Sequence, residues 1–215
     1  MFNASGASPV TIRFHKGDLP AELDLGPIVA IDTETLGLEV KRDRLCVVQL
    51  SRGDGSADIV QIAVGQARAP RLEKLLADAN VLKLFHFGRF DMATLCNAFG
   101  VMPAPVYCTK IASKLARTYT DRHGLKDLTR ELLGVEISKQ QQSSDWGAET
   151  LSEAQLAYAA SDVLFLHALR EKLDAMLARE GRDGLARAAF LYLPDRVRLD
   201  LAGFQETDIF AHGSP

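Results

Sequence analysis

The chain has 215 residues, of which 47% are hydrophobic, and its formal net charge is −3. This is enough for a single domain with a well-buried core, and the charge excludes a uniformly basic surface for nucleic acid, so any site for a polyanion must be local. The widely spaced Cys46, Cys96 and Cys108 exclude a disulfide framework and indicate a reducing, cytoplasmic environment, and no apolar run is long enough to cross a membrane.

Strand patterns dominate the first half of the chain. Short apolar or alternating runs predict five strands, at Val10–Phe14, Pro27–Thr33, Leu45–Ser51, Asp58–Ile62 and Val81–Phe85. The segment Val106–Cys108 is either a further short strand or an extended stretch. The run Arg52-Gly53-Asp54-Gly55, between the third and fourth strands, is typical of a hairpin turn.

Helical patterns follow in the second half. Apolar spacing predicts helices at Leu72–Leu76, Phe90–Phe99, Lys110–Arg117, Leu125–Leu133 and Ser152–Ala178. The last begins with a capping box, in which a serine is followed by a glutamine three residues later. A hairpin-rich beginning followed by alternating strands and helices predicts an α/β domain, with a mixed sheet and helices on both sides.

The two ends of the chain differ in composition from the centre. Residues 1–10 are small and polar and predict a flexible leader, residues 11–193 predict a single domain, and residues 194–215 predict a C-terminal tail. Apolar residues in and just before this tail are able to cover the domain's own core or to form an interface with a neighbouring subunit.

Two carboxylates lie near the end of the second predicted strand. Side chains two apart in a strand share a face, so Asp32 and Glu34 point the same way. Ligand sites in open α/β sheets typically lie at strand ends, and a divalent cation removes the cost of holding two carboxylates side by side. The structural alternative is an exposed strand end that runs into a turn.

Three further polar residues stand on predicted helices. Tyr158 and Asp162 are four apart, so they lie on one face of the last predicted helix, which also has a core face. Asp91 lies at the start of a helix, where an acid is favoured by the helix dipole in any case. Each of these residues alone is explained by a structural role. Together with Asp32 and Glu34, however, they offer four carboxylates and one phenol.

The order of these residues resembles the DEDD superfamily of 3′→5′ exonucleases, in its tyrosine-bearing subclass. The matching segments are IDTETLGL, FHFGRFDMATL and KQQQSSDWGAETLSEAQLAYAASDVLFLHAL, and the last is similar to the ribonuclease D branch. Together with CTKIASKLARTYTDRHGLKDLTRELLG, the QQQSSDWG stretch resembles nanoRNase C, a short member of that branch from alphaproteobacteria. Thr35 and Phe87 stand where many members have phenylalanine and asparagine, which leaves a preference for RNA or DNA open.

The resemblance implies a ribonuclease H-like exonuclease fold, with a mixed five-stranded sheet and helices on both sides, over the catalytic domain at residues 11–193. It implies that two Mg²⁺ or Mn²⁺ ions, roughly 3.5–4 Å apart, are held by the four acidic residues, namely Asp32, Glu34, Asp91 and Asp162. Tyr158 would orient the attacking water, because a free tyrosine, with a pKa of about 10, is a poor base at neutral pH.

Further residues are candidates for substrate contacts. By alignment to the first motif, Leu38 is expected to wedge against a base and Thr33 and Thr35 to line the site, and His86 is expected to contact the scissile phosphate. A predicted cationic stripe on one helix face, which is otherwise a solvated surface, consists of Lys110, Lys114 and Arg117. Hydrogen bonds near the site are expected from Lys139, Gln142 and Ser144.

The resemblance implies hydrolysis of short oligoribonucleotides, chiefly dinucleotides, to nucleoside 5′-monophosphates, and assembly into a homo-oligomer, an octameric ring. Two other functions remain open. The first is a ribonuclease D-like exonuclease that trims longer RNA or DNA 3′ ends. The second is a non-catalytic protein that binds nucleic acid, although relatives of that kind usually lose a metal ligand.

Overall fold

A mixed β-sheet forms the centre of the computed structural model, which describes residues 10–138 and 140–213. The predicted leader lies outside these residues except for Val10. Six strands form the sheet within the described ranges, namely β1 (Thr11–Lys16), β2 (Ile28–Thr35), β3 (Leu45–Ser51), β4 (Ser56–Gln61), β5 (Leu82–Phe85) and β6 (Val106–Cys108).

The strands are ordered β1-β4-β3-β2-β5-β6 across the sheet. Strand β3 is antiparallel to β2 and β4, whereas the β1–β4, β2–β5 and β5–β6 pairs are parallel. The predicted α/β class with a mixed sheet is therefore confirmed. The sheet has one strand more than expected, because the short β6 segment pairs with β5 instead of running as an extended connection.

Helices flank this sheet. Within the described residues they are α1 (Pro70–Ala77), α2 (Arg89–Phe99), α3 (Thr109–Ala116), α4 (Leu125–Leu128) with a π-helical turn at Thr129–Leu133, α5 (Glu153–Leu164), α6 (Leu166–Arg179) and α7 (Asp183–Leu201). Every residue of β3 is buried, and both α2 and α5 contact this strand. The centre of the sheet is thus covered by helices, as expected for a strand whose residues are all buried. No helix in the described ranges has both the length and the apolarity to cross a membrane.

The long helix predicted at Ser152–Ala178 is two helices, α5 and α6, which meet at Phe165. The predicted capping box is present, with the Ser152 hydroxyl accepting from the Gln155 N–H and the Gln155 side chain accepting from the Ser152 N–H. The break lets α5 pack on β2, β3 and β4 while α6 packs against α3. A single straight helix could not pack against both the sheet and α3.

Helix α7 was not predicted, and it crosses the expected boundary between domain and tail at residues 193 and 194. Proline removes a helical hydrogen bond, and Pro194 lies inside α7. The helix continues through Pro194 because side chains on both sides of the proline pack in the hydrophobic core, namely Phe190, Leu193 and Val197. Residues 194–201 are therefore part of the packed domain.

A polar contact joins the end of α7 to the start of α2. Arg89 donates two hydrogen bonds to the Asp200 carboxylate, one of them at 2.7 Å, and Arg196 lies 2.9 Å from the same group. The Asp200 side chain is only 11% exposed. This carboxylate therefore links the C-terminal part of the chain to the helix that carries Asp91.

We expect Asp200→Asn to lower the free energy of unfolding by about 1–2 kcal/mol, because one well-shielded carboxylate serves two guanidinium groups. Urea denaturation measures the change. Asp195→Asn is the matched control, since its pair with Arg198 is 61% exposed on both sides and such pairs contribute little. Equal losses in the two variants would contradict the linking role of Asp200.

Candidate active site

Strand β2 and helix α5 bring three carboxylates together. Asp32 and Glu34 lie on one face of β2, in the middle of the sheet, and α5 packs across this strand and supplies Asp162. One carboxylate oxygen from each residue lies within 4.8 Å of the other two. Two segments that are distant in the sequence thus form one acidic cluster.

Asp91 enters the same cleft from the first turn of α2 and is buried. Its carboxylate accepts a hydrogen bond of 2.7 Å from the hydroxyl of Thr33, which stands between the two acidic residues of β2. Burial raises the pKa of Asp91 to about 7, although the Thr33 hydrogen bond acts in the opposite direction. Thr33 therefore positions Asp91 beside the cluster, in addition to lining the site.

The acidic cluster is electrostatically costly when it holds no cation. Burial raises the pKa of Asp32 well above its usual range, and the neighbouring carboxylates of Asp91 and Asp162 raise it further. Burial also raises the pKa of Glu34 to about 9, with Asp162 as the next contributor. A group that carries positive charge into this cluster would therefore stabilise the ionised carboxylates.

The donor set fits a hard divalent cation. The three converging side chains offer oxygen atoms alone, and no histidine or cysteine belongs to this cluster in the described part of the chain. Carboxylate oxygens are the ligands that Mg²⁺ and Mn²⁺ prefer, whereas nitrogen and sulfur favour zinc. Asp32, Glu34 and Asp162 are thus suited to hold Mg²⁺ or Mn²⁺, with Asp91 beside them.

Tyr158 lies one turn before Asp162 on α5, and its phenol donates a hydrogen bond to that carboxylate. Burial is the main reason why the pKa of Tyr158 is raised far above its usual value, and the negative charge of Asp162 adds to the effect. The ring lies 6.0 Å from that of Trp146, which is buried. The phenol therefore keeps its proton at neutral pH, and packing fixes its direction.

These groups open into a cleft of about 630 Å³. The predicted site residues that line it are Asp32, Thr33, Glu34, Thr35, Leu38, His86, Asp91, Lys110, Gln142, Ser144, Tyr158 and Asp162. Leu38 is 82% exposed, so its side chain is accessible at the cleft. The structure thus gathers residues from β2, α2, α3, α5 and the loop before α5.

His86 is held in the cleft wall by Thr109. The Thr109 hydroxyl donates to the Phe85 carbonyl, at 3.2 Å, and its oxygen lies 2.9 Å from Nδ1 of His86. Because the single hydroxyl hydrogen is used by the carbonyl, Nδ1 carries the proton in this arrangement and donates to Thr109.

The predicted cationic stripe on α3 is wrong for Arg117, whose side chain is fully buried. The helix ends at Ala116, so helical spacing does not extend to Arg117, and its guanidinium pairs with Glu131 and donates to the Arg122 carbonyl at 2.8 Å. Lys114 is exposed and does not line the cleft, whereas Lys110 does. The prediction for Lys139 lies outside the described residues.

Gln49 is a site residue that sequence reasoning missed. It lies opposite Asp32 on β3 and is fully buried, and its side-chain amide donates to the Asp32 carboxylate at 3.0 Å. The signal was present, because a polar residue in the apolar run Leu45–Ser51 needs a partner when the strand is buried. What the sequence alone lacked was the register that places the two residues opposite each other.

We expect Gln49→Leu to lower kcat about 10-fold or more and to weaken the apparent Mn²⁺ affinity, because the amide fixes one carboxylate oxygen of Asp32. Steady-state kinetics against Mn²⁺ concentration measures both. Gln66→Leu is the matched control, since it removes an amide that donates to the Gly17 and Arg68 carbonyls away from the cleft. Unchanged kcat and Mn²⁺ dependence in Gln49→Leu would exclude a positioning role.

Comparison with known proteins shows the family of the chain. The family described as 3′-5′ exonuclease matches residues 9–178. Ribonuclease D of Acidiphilium cryptum is 41% identical over 156 residues, which are 73% of this chain and 39% of that protein. The chain thus spans about two fifths of the length of this relative.

Two solved structures cover almost the whole chain. Brucella melitensis NrnC with bound Mg²⁺ has 61% identity and a TM-score of 0.91, over 95% of this chain and 100% of that one. Brucella melitensis NrnC bound to pGG has 62% identity and a TM-score of 0.92, with the same coverage. The chain therefore belongs to the 3′-5′ exonuclease family and, within its ribonuclease D-like branch, to the group of NrnC, or nanoRNase C.

Proposed function

We propose that this protein is a metal-dependent 3′→5′ exoribonuclease that hydrolyses short oligoribonucleotides, chiefly dinucleotides, to nucleoside 5′-monophosphates. The observation that carries the proposal is the set of three carboxylates within 4.8 Å of one another at the cleft. Two structures of Brucella melitensis NrnC, one with bound Mg²⁺ and one bound to pGG, support the metal and the short substrate.

Two divalent cations, Mg²⁺ or Mn²⁺, would supply an activated water and charge stabilisation for the leaving 3′ oxygen. The residues that would hold them are Asp32, Glu34, Asp91 and Asp162. The phenol of Tyr158 keeps its proton and directs it to Asp162, so its oxygen accepts a hydrogen bond from the attacking water and orients it, and the phenol does not act as a base.

The remaining cleft residues bind and orient the substrate in this proposal. Lys110 supplies positive charge near the acidic cluster, and His86 offers a ring nitrogen towards the scissile phosphate. Leu38 is exposed enough to insert against a base. Thr35 already donates a hydrogen bond of 2.5 Å to the Gly37 carbonyl, so its contribution is to shape the loop that presents Leu38.

The size of the cleft supports a short substrate. Its volume of about 630 Å³ lies within the range that holds one small-molecule ligand. A dinucleotide is a ligand of that class, whereas a longer RNA would extend over surfaces outside the cleft. The second candidate, trimming of longer RNA or DNA 3′ ends, is favoured by the identity to ribonuclease D of Acidiphilium cryptum.

A substrate-length series tests the proposal. Two-, three- and seven-residue RNAs with a 5′ label and a labelled duplex DNA are incubated with the full chain and Mn²⁺, and products are separated by size. We expect fast turnover of the dinucleotide and slow or no turnover of the others. Stepwise trimming of the seven-residue RNA or the duplex at the dinucleotide's rate would favour the second candidate, and no cleavage of any substrate would favour a non-catalytic protein.

We also propose that the protein works in the cytoplasm as a homo-oligomer, with an octameric ring as the assembly that the resemblance implies. Cys46, Cys96 and Cys108 are free thiols, which suits a reducing compartment. Helix α7 and the segment after it expose Leu191 and Phe210, at 78% and 77%, and such apolar side chains suit contacts between subunits.

Light scattering tests the assembly. The full chain has a mass of 23.5 kDa, and we expect the particle in solution to have several times this mass. Leu191→Lys is expected to lower it, because a charge in a subunit interface is costly. Exposed Lys114 provides the control variant, Lys114→Ala. A monomeric mass for the full chain would contradict the proposed assembly.

A further inference from the structure

Phe87 combines two features that are unfavourable for a residue with only a structural role. Its side chain is 48% exposed, at the rim of the cleft that holds the carboxylates. Its backbone has φ +65°, and it is the one non-glycine residue with positive φ in the described part of the chain. Phenylalanine in this conformation is strained, and strain of this kind is concentrated at functional sites.

The turn itself explains the backbone conformation but not the choice of side chain. It connects β5 to α2 directly, so that His86 and Asp91 both enter the cleft, and the Phe87 carbonyl accepts from the Phe90 N–H at 3.2 Å. Asparagine adopts positive φ with less strain than an aromatic residue. A ring at this position therefore costs stability in two ways, through backbone strain and through exposed apolar surface.

The surroundings of the ring match a nucleotide. The Lys110 ammonium lies over the ring, 4.2 Å from its centroid, so an aromatic face and a positive charge occur together. Aromatic side chains beside cationic groups are what single-stranded nucleic acid binds, with the base on the ring and phosphate near the charge. Both residues line the cleft that contains Asp32 and Asp162.

We propose that Phe87 is a base-stacking platform that binds a nucleobase of the short RNA substrate and thereby sets its position relative to the carboxylates. This inference rests on the proposed function and assigns a specificity-determining contact within that site. Stacking requires only the face of a base, so the platform accepts purines and pyrimidines alike. It favours an RNA with bases over an equally charged backbone without them.

The test uses a 5′-phosphorylated dinucleotide that carries 2-aminopurine, whose fluorescence falls when it stacks on an aromatic ring. Binding is measured by titration of the full chain in Ca²⁺ buffer. We expect strong quenching with the wild type, and with Phe87→Asn a loss of quenching and a Kd about 5- to 150-fold higher. Phe87→Tyr keeps the ring and is expected to restore both.

Three controls make the result specific. Thermal denaturation of Phe87→Asn is expected to show equal or higher stability, because asparagine relieves the strain, so weaker binding would not reflect unfolding. Phe14→Asn removes an exposed phenylalanine from the edge strand β1, outside the cleft, and should leave Kd unchanged. An abasic dinucleotide should bind the wild type and Phe87→Asn equally, because the partner of the ring is already missing.

The outcomes separate this inference from the proposed function. If the wild type binds the dinucleotide and Phe87→Asn has the same Kd and the same quenching, stacking on Phe87 is overturned and the proposed function stands. If the wild type binds no dinucleotide at millimolar concentration, the proposed function fails, and the assignment of Phe87 fails with it.

Discussion

Asp32→Asn is expected to reduce kcat on a dinucleotide about 1000-fold or more while the fold is kept. The carboxylate converges with those of Glu34 and Asp162, and Gln49 from β3 fixes one of its oxygens. The amide has nearly the same shape but lacks the negative charge that a divalent cation needs. Single-turnover kinetics with saturating Mn²⁺ measures the loss.

The same variant is expected to raise the stability of the metal-free protein, although it lowers the activity. The pKa values of Asp32 and Glu34 are raised in the folded protein, so ionisation of these groups destabilises the metal-free fold. The stabilising contribution of protonated Glu34 is complete below its unfolded pKa of about 4.3 and is lost as the pH rises towards about 9. Near neutral pH, folding of the metal-free protein must either protonate Asp32 or hold its charge in the cluster, and Asp32→Asn removes that cost.

Thermal denaturation in EDTA and in Mn²⁺ checks this second effect. We expect the wild type to gain stability from Mn²⁺, and Asp32→Asn to be more stable than the wild type in EDTA and to gain little from Mn²⁺. Asp121→Asn, at an exposed position, serves as the control for loss of one acid. An Asp32→Asn variant with wild-type activity, or with the full stabilisation by Mn²⁺, would contradict the assignment of the cation site.

Tyr158→Phe is expected to lower kcat about 100-fold with little change in KM. The phenol donates to Asp162 and keeps its proton because its pKa is raised, so its role is to orient a water molecule and not to remove a proton. The ratio of wild-type to variant kcat is therefore expected to stay constant between about pH 7 and 9.

A base role makes a different prediction for the same measurement. If the phenolate were the base, its population and the ratio would rise about tenfold per pH unit below its pKa. Tyr119→Phe is the control, since Tyr119 is 71% exposed and does not line the cleft. Full activity of Tyr158→Phe would exclude both roles.

The acidic positions were predictable from sequence because each is tied to a regular element. Strand alternation places Asp32 and Glu34 on one face, and helical spacing places Tyr158 and Asp162 one turn apart. The family pattern then indicated that these elements meet. The proximity of the three carboxylates depends on tertiary packing, since it requires α5 to pack across β2.

The errors arose where local spacing is overridden by packing. Arg117 follows a helical pattern with Lys110, but α3 ends one residue too early, and the guanidinium turns inward to Glu131. Helix α7 continues through Pro194 because buried side chains on both sides of the proline hold it to the core. The apolar pattern of one segment does not show where a short helix ends, and it does not show whether a helix continues through a proline.

Gln49 and Phe87 show a second limit. A lone glutamine in an apolar strand signals a buried partner, but which residue it contacts depends on the strand register. Phe87 was visible as a departure from the family pattern, whereas its positive φ and its exposure at the cleft are properties of the folded turn. Sequence reasoning therefore finds the groups that carry charge more readily than those that position them.

Product analysis of a 5′-labelled dinucleotide with and without divalent cation tests the central claim most directly, namely that the carboxylates of β2, α2 and α5 form a metal-dependent hydrolytic site. We expect conversion of the dinucleotide to nucleoside 5′-monophosphate in Mn²⁺, no conversion in EDTA, and conversion by Asp32→Asn in Mn²⁺ that is slower by about 1000-fold or more. Hydrolysis that persists in EDTA, or no hydrolysis by the wild type in Mn²⁺, would contradict it.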